Sequence, residues 1–103
     1  MKRNKLDKIQ LSEIMYFSKC GVYTLALLKG DKQEIIEHSL ENLELMLPDK
    51  TFFRIHRGFL VNLEEIEEIL PGRSPNKVIL SDGSKLPVSK RKRRALIAQI
   101  DPV

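Results

Sequence analysis

Phe52-Phe53-Arg54-Ile55-His56-Arg57-Gly58-Phe59-Leu60-Val61-Asn62 is the stretch that decides the fold. From Phe53 to His56 apolar and polar residues alternate, the period of an extended strand whose side chains point to opposite faces. Phe53 and Ile55 then share one face, with Arg54 and His56 on the other. The alternation resumes at Phe59 and Val61, so His56-Arg57-Gly58 is a bend between two short strands. Arg57, on the bend, is placed to grip a phosphate or to read a guanine bidentately. His56 fits better as a partly buried ring bonded to backbone than as a ligand. Asn62 ends its strand and fits a residue that fixes a turn.

The same texture extends both ways along the chain. Turn signals recur at short intervals: Cys20-Gly21, Lys29-Gly30-Asp31, Pro48-Asp49, Pro71-Gly72, Ser74-Pro75-Asn76 and Asp82-Gly83. Between them lie runs rich in β-branched, aromatic and leucine residues. These runs predict strands near Lys8–Gln10, Ile14–Ser18, Tyr23–Leu28, Gln33–His38, Phe52–His56, Phe59–Asn62, Ile66–Leu70, Lys77–Leu80 and Lys85–Val88. Lys29-Gly30-Asp31-Lys32 and Ser81-Asp82-Gly83-Ser84 suit tight hairpins. The gaps are too short for the helical crossovers that parallel strands require, so the sheets are expected to be antiparallel.

Two segments depart from this pattern. In Ser39–Leu47, Leu40, Leu43 and Leu47 fall on one helical face, Ser39 is a suitable N-cap and Pro48 stops continuation. A second helix begins at Ser89, with Ala95, Leu96 and Ile100 as its apolar stripe. Its first turn and a half carries Lys90, Arg91, Lys92, Arg93 and Arg94, where the helix dipole disfavours cations by roughly 0.3–1 kcal/mol each. A solvated charge run is the plain reading. The alternative is an anion site in which these cations and the free N–H groups of the helix start act on the same phosphate.

Composition narrows the class. The chain has 103 residues, 42% of them hydrophobic and 31% charged, a balance that suits one globular domain. No apolar run is long enough for a membrane helix, and no signal-peptide pattern follows the basic start. The single cysteine, Cys20, excludes an internal disulfide and suits a reducing cytosol, so a cytoplasmic location is expected. With His38 and His56 it cannot complete a Cys/His zinc site, and no cofactor is expected. Phosphate-loop, dinucleotide, HExxH and GxSxG motifs are missing, so the chain does not read as an enzyme. Charge is uneven: residues 31–68 hold ten acids against four bases, net −6, while the rest carries +10. Such asymmetry points to a polyanionic partner for one surface.

Taken with its neighbours, the central stretch resembles the LytTR DNA-binding domains of bacterial response regulators and related transcription factors. Phe53-Arg54-Ile55-His56-Arg57-Gly58-Phe59-Leu60-Val61-Asn62 is similar to the family's aromatic-x-Arg-x-His-Arg-Ser-aromatic-hydrophobic-Val-Asn signature. Ile14-Met15-Tyr16-Phe17 matches its early strand, and Ser39-Leu40…Leu43…Leu47-Pro48 its Ser-Leu-x-x-Leu helix ending in Pro. Leu80-Ser81-Asp82-Gly83-Ser84-Lys85-Leu86-Pro87-Val88-Ser89-Lys90 matches its Asp-Gly hairpin followed by Leu-Pro-Val-Ser-Lys/Arg. The resemblance runs from about Ile9 to Ile100. It implies a LytTR-like fold, mainly β, an elongated stack of small antiparallel sheets with two short helices. The domain is then 9–103, preceded by a basic segment or linker at 1–8.

By the same resemblance, loops rather than a recognition helix read double-stranded DNA in the major groove. Carried over by position, the contacts are Lys19, Val22 and Tyr23 in the first loop, Arg57 and Gly58 at the bend, and Ser89, Lys90 and Arg91 at the second helix start. Arg93, a turn further on, is expected to meet phosphate. Two residues depart from the family pattern. Gly58 stands where Ser is usual, and Val22 where Asn is common, which leaves Lys19 as the main contact of its loop. The implied partners are double-stranded DNA at repeated sites, a second copy of the chain on that DNA, and a receiver domain N-terminal to it, with no membrane. An alternative is a protein-interaction module that sequesters a related regulator without base-specific DNA binding, docking through the acidic 31–68 segment.

Overall fold

A computed structural model describes Leu6 and residues 9–48, 50–70 and 76–100. In chain order they form β1 (Ile14–Cys20), β2 (Tyr23–Leu28), β3 (Lys32–Ile36), α1 (Leu40–Met46), β4 (Phe52–His56), β5 (Phe59–Asn62), β6 (Ile66–Leu70), β7 (Asn76–Leu80), β8 (Lys85–Val88) and α2 (Lys90–Ile100). One sheet has the order β3-β2-β1-β5-β4 and the other β6-β7-β8, with every pairing antiparallel. The molecule is elongated, 47 × 27 × 25 Å. It is the mainly β, elongated architecture of small antiparallel sheets with two helices that the sequence led to expect, here with two sheets.

The larger sheet is covered on both faces, which makes it the middle layer. Ile14, Phe17, Ala26, Phe52 and Leu60 pack on one side with Ile36, Leu40, Leu43 and Leu6. Met15, Ile55 and Val61 pack on the other with Val78, Leu80, Leu86 and Val88 of the smaller sheet and Leu96 of α2. Two bulges serve this division. A register shift between Ile14 and Tyr16 turns Met15 and Tyr16 together toward the second core. Another between Arg54 and His56 makes Ile55 the extra residue of β4. Asn62, 1% exposed, ties the ends together: its side-chain N–H donates to the Ile14 carbonyl (2.9 Å), and its Oδ1 accepts the Glu64 N–H (3.0 Å). It does fix a turn.

The first helix is as its sequence dictates. The Ser39 hydroxyl accepts the Asn42 N–H (3.1 Å), and Leu40 and Leu43 are buried. The second differs from expectation. Leu96 is buried, but Ala95 and Ile100 are exposed, because α2 lies against β4 and reaches the core through a single turn. The strand expected at Lys8–Gln10 is not formed at Ile9 and Gln10, and Lys8 lies outside the described residues. There the chain enters a 3₁₀ turn at Leu11–Glu13, letting Ile9 and Leu11 rest half-buried on the first core. Of the 1–8 segment only Leu6 is described, buried in that core.

Candidate nucleic-acid interface

Two backbone hydrogen bonds bring three distant segments together. The Lys19 N–H donates to the Gly58 carbonyl (2.9 Å), joining the end of β1 to the bend between β4 and β5. The Ser89 N–H donates to the Ile55 carbonyl (2.9 Å), joining the start of α2 to the bulge of β4. A bulged residue is left out of the ladder pairing, which gives Ile55 a carbonyl to offer. The β1–β2 hairpin, the bend and the helix start therefore lie side by side at one end of the larger sheet.

The bend between them is held from within. Arg54, with only 10% of its side chain exposed, donates from Nε to the His56 carbonyl (2.9 Å) and from Nη2 to the Arg57 carbonyl. Its other contacts run to α1, at Glu44 Oε1 (2.5 Å) and Glu41 Oε2 (3.1 Å). His56 accepts the Gly58 N–H at Nδ1 (3.0 Å), the backbone-bonded ring that the sequence suggested. These bonds fix the main chain at Arg57 and leave its side chain exposed. The Glu41 carboxyl is held below the usual carboxylate range, first by a backbone N–H at the helix start and then by Arg54.

Arg57 stands between two clefts. One is lined by Lys19, Gly21, Glu41, Arg54, His56, Arg57 and Gly58. The other is lined by Glu44, Arg54, His56, Arg57, Ser89, Arg91 and Lys92. Of the residues expected at a DNA contact, Lys19, Arg57, Gly58, Ser89 and Arg91 thus meet around one ridge. Val22 and Tyr23 sit above it at the hairpin tip, 93% and 59% exposed, with Cys20 exposed beside them. Gly21 takes φ +61° there, the left-handed conformation that a two-residue hairpin demands at its first position. Lys90 is exposed at the first position of α2.

The cationic run at the helix start is divided by its own periodicity. Arg91 and Arg94 face solvent with Lys90, whereas Lys92 lies over the Phe53 ring at 6.0 Å. Arg93 is half-buried, its Nε enclosed without a hydrogen-bond partner. Sequence reasoning missed Arg54 as the element that sets the bend, and Glu41 and Glu44 as cleft residues. Alternation put Arg54 on the polar face beside His56, but its carboxylate partners lie ten and 13 residues away. Among the described residues no three His, Cys, Asp or Glu side chains group as metal ligands, and no helix is long and apolar enough to cross a membrane.

Comparison with known proteins shows the family. The family model for the LytTr DNA-binding domain matches residues 4–101. The sensory transduction protein LytT of Bacillus subtilis is 44% identical over 61 residues, which are 58% of this chain and 25% of that protein. The transcriptional regulatory protein BtsR of Salmonella typhi is 30% identical over 96 residues, 90% of this chain and 38% of that protein. The chain therefore spans well under half the length of these curated relatives. A solved LytTr DNA-binding domain from Bacillus cereus superposes with a TM-score of 0.82 at 26% identity, covering 90% of this chain and 85% of that one.

Proposed function

Because the chain belongs to the LytTr DNA-binding domain family, we propose that it binds double-stranded DNA sequence-specifically and reads the major groove with loops. Arg57 is the base-reading residue in this proposal. Lys19, Val22 and Tyr23 flank it from the hairpin, Gly58 from the bend, and Ser89, Lys90 and Arg91 from the helix start, with Arg93 toward phosphate. The carrying observation is the exposed Arg57 on a main chain that Arg54 and His56 hold rigid, between two clefts lined from the other segments. Base-edge hydrogen bonds demand such fixed geometry, whereas phosphate attraction does not. The wider role is transcriptional control in the cytoplasm, with a second copy on repeated sites and a receiver domain upstream.

Selection from random duplexes tests the specificity and returns the site. Titration of variants against that site and a scrambled duplex at several salt concentrations then separates the contacts. Loss of a bidentate base contact costs about 1–3 kcal/mol and relaxes preference at one base pair, whereas loss of a phosphate contact weakens all sequences alike and lowers the salt slope by roughly one. Arg57→Ala is expected to shrink the ratio of specific to non-specific affinity, and Arg93→Ala to lower both together. If Arg57→Ala lowers both equally, Arg57 is a phosphate clamp. Enrichment of no motif would favour the interaction module instead.

A further inference from the structure

Val22 is an apolar residue at a hairpin position where polar residues are usual. It is the second residue of a two-residue hairpin loop whose ends, Cys20 and Tyr23, are paired across the strands. Gly21 carries the turn's positive φ, so the second position admits many residues, of which Asn, Asp and Ser add local hydrogen bonds that a β-branched apolar side chain cannot make. Val22 is 93% exposed, so packing does not offset the choice. Exposed apolar residues scattered singly are ordinary. This one stands at the tip of the hairpin, beside the exposed Tyr23 and on the same hairpin as Lys19.

The tip is also rigid and well aimed. The strands β1 and β2 pair in register from Tyr16 to Cys20, and the Lys19–Gly58 hydrogen bond joins the hairpin to the Arg57 bend. A two-stranded ribbon of this size fits the major groove, about 12 Å wide, and not the minor groove at about 6 Å. Within the major groove the apolar group that projects from a base edge is the C5-methyl of thymine. We infer that Val22 is a specificity residue that packs against a thymine methyl group, while Lys19 and Arg57 hold the flanking DNA. The inference rests on the proposed DNA reading and names what its first loop reads. A valine at this position makes the loop a methyl reader without a hydrogen bond.

Thymine-to-deoxyuridine scanning removes the methyl and nothing else. The selected site is synthesised with each thymine replaced singly by deoxyuridine, then titrated with the unaltered protein and with Val22→Ala and Val22→Thr. At one or two neighbouring thymines the unaltered protein is expected to lose about fourfold in affinity, the effect of exposing one buried methyl-sized group. Val22→Ala should lose less than about twofold at those same positions, and Val22→Thr, which keeps a methyl, should stay sensitive. Because Val22 is exposed, Val22→Ala should melt as the unaltered protein does. A selected site with no thymine whose penalty depends on Val22 overturns the inference and leaves the DNA reading standing. Weakening of all duplexes alike by Val22→Ala overturns it too, and assigns the contact to deoxyribose. Failure to select any site overturns the DNA reading itself, and the inference with it.

Discussion

Replacing Arg54 tests whether recognition depends on a residue that DNA does not touch. Arg54→Leu removes two charge-assisted hydrogen bonds to the carbonyls of His56 and Arg57 and two ion pairs to α1. The ion pairs contribute little, since Glu41 and Glu44 keep 68% and 40% of their side chains exposed and surface pairs are worth about 0–1 kcal/mol. Hydrogen bonds to a charged donor are worth about 1.5–3 kcal/mol, and water replaces part of that at a half-buried bend, leaving roughly 1–1.5 kcal/mol each. The sum is a loss of about 2–3 kcal/mol, which lowers the melting temperature by roughly 10–20 °C in a domain of this size. Binding measured well below that temperature should show a second effect. With the bend no longer fixed, Arg57 must be ordered on the DNA, so the ratio of specific to non-specific affinity should fall several-fold. Arg54→Lys separates the causes: it keeps the charge but not the planar fork that reaches both carbonyls, so it should restore little of either loss. Calorimetric melting and fluorescence titration against the selected site and a scrambled duplex read the two quantities. If Arg54→Leu melts lower yet keeps the unaltered affinity ratio, Arg54 supports the fold alone and positions nothing.

Three further outcomes follow from single residues. Asn62→Ala should destabilise the fold by about 2–4 kcal/mol in thermal or urea unfolding, because it strands the buried Ile14 carbonyl and the Glu64 N–H; a change below about 1 kcal/mol would contradict that role. Gly58→Ser should be tolerated and stabilise by roughly 0.4–1 kcal/mol, since a Cβ there meets His56 Nδ1 at an ordinary 3.5 Å and the backbone is not left-handed; a fall in melting temperature would show that the bend requires glycine. Burial, with the Asp82 charge adding to it, pushes the Tyr16 phenol above its ordinary value, so stability present below that value is lost as pH rises through the interval between the two. In Tyr23→Phe, where Tyr16 is the remaining phenol, phenolate absorbance should develop at higher pH than in free tyrosine, and a midpoint at the free value would sink the assignment.

What could be seen in the sequence was what short-range chemistry dictates. Strands Phe52–His56 and Phe59–Asn62 were legible because alternation and the His56-Arg57-Gly58 break lie within one window, and α1 because Ser39 and Pro48 bracket three leucines. Pairing between β1 and β5 was not legible, since nothing local sets Tyr16 opposite Val61. Neither was the juncture of the three loops, which depends on backbone donors and acceptors that carry no residue signature. Ile9 failed as a strand for a related reason: its apolar neighbour Leu11 finds the core through a 3₁₀ turn instead of a pleat.

Charge shows the same limit more sharply. The sequence separates an acidic middle from a basic remainder, as though the two formed opposite faces. In the fold they interleave. Glu41 and Glu44 come from the acidic segment, yet they line the clefts on either side of Arg57 and neutralise Arg54 beneath it. Lys92, one of five consecutive cations, lies over Phe53, and Arg93 is partly enclosed. Glu41 and Glu44 therefore offset part of the positive charge that the count of Lys and Arg implies, while Lys19, Arg57, Lys90 and Arg91 keep exposed side chains on paired or hydrogen-bonded backbone. A surface of that kind gives up non-directional pull on any polyanion and retains contacts whose geometry can discriminate, because non-specific attraction grows with total charge and base reading grows with placement.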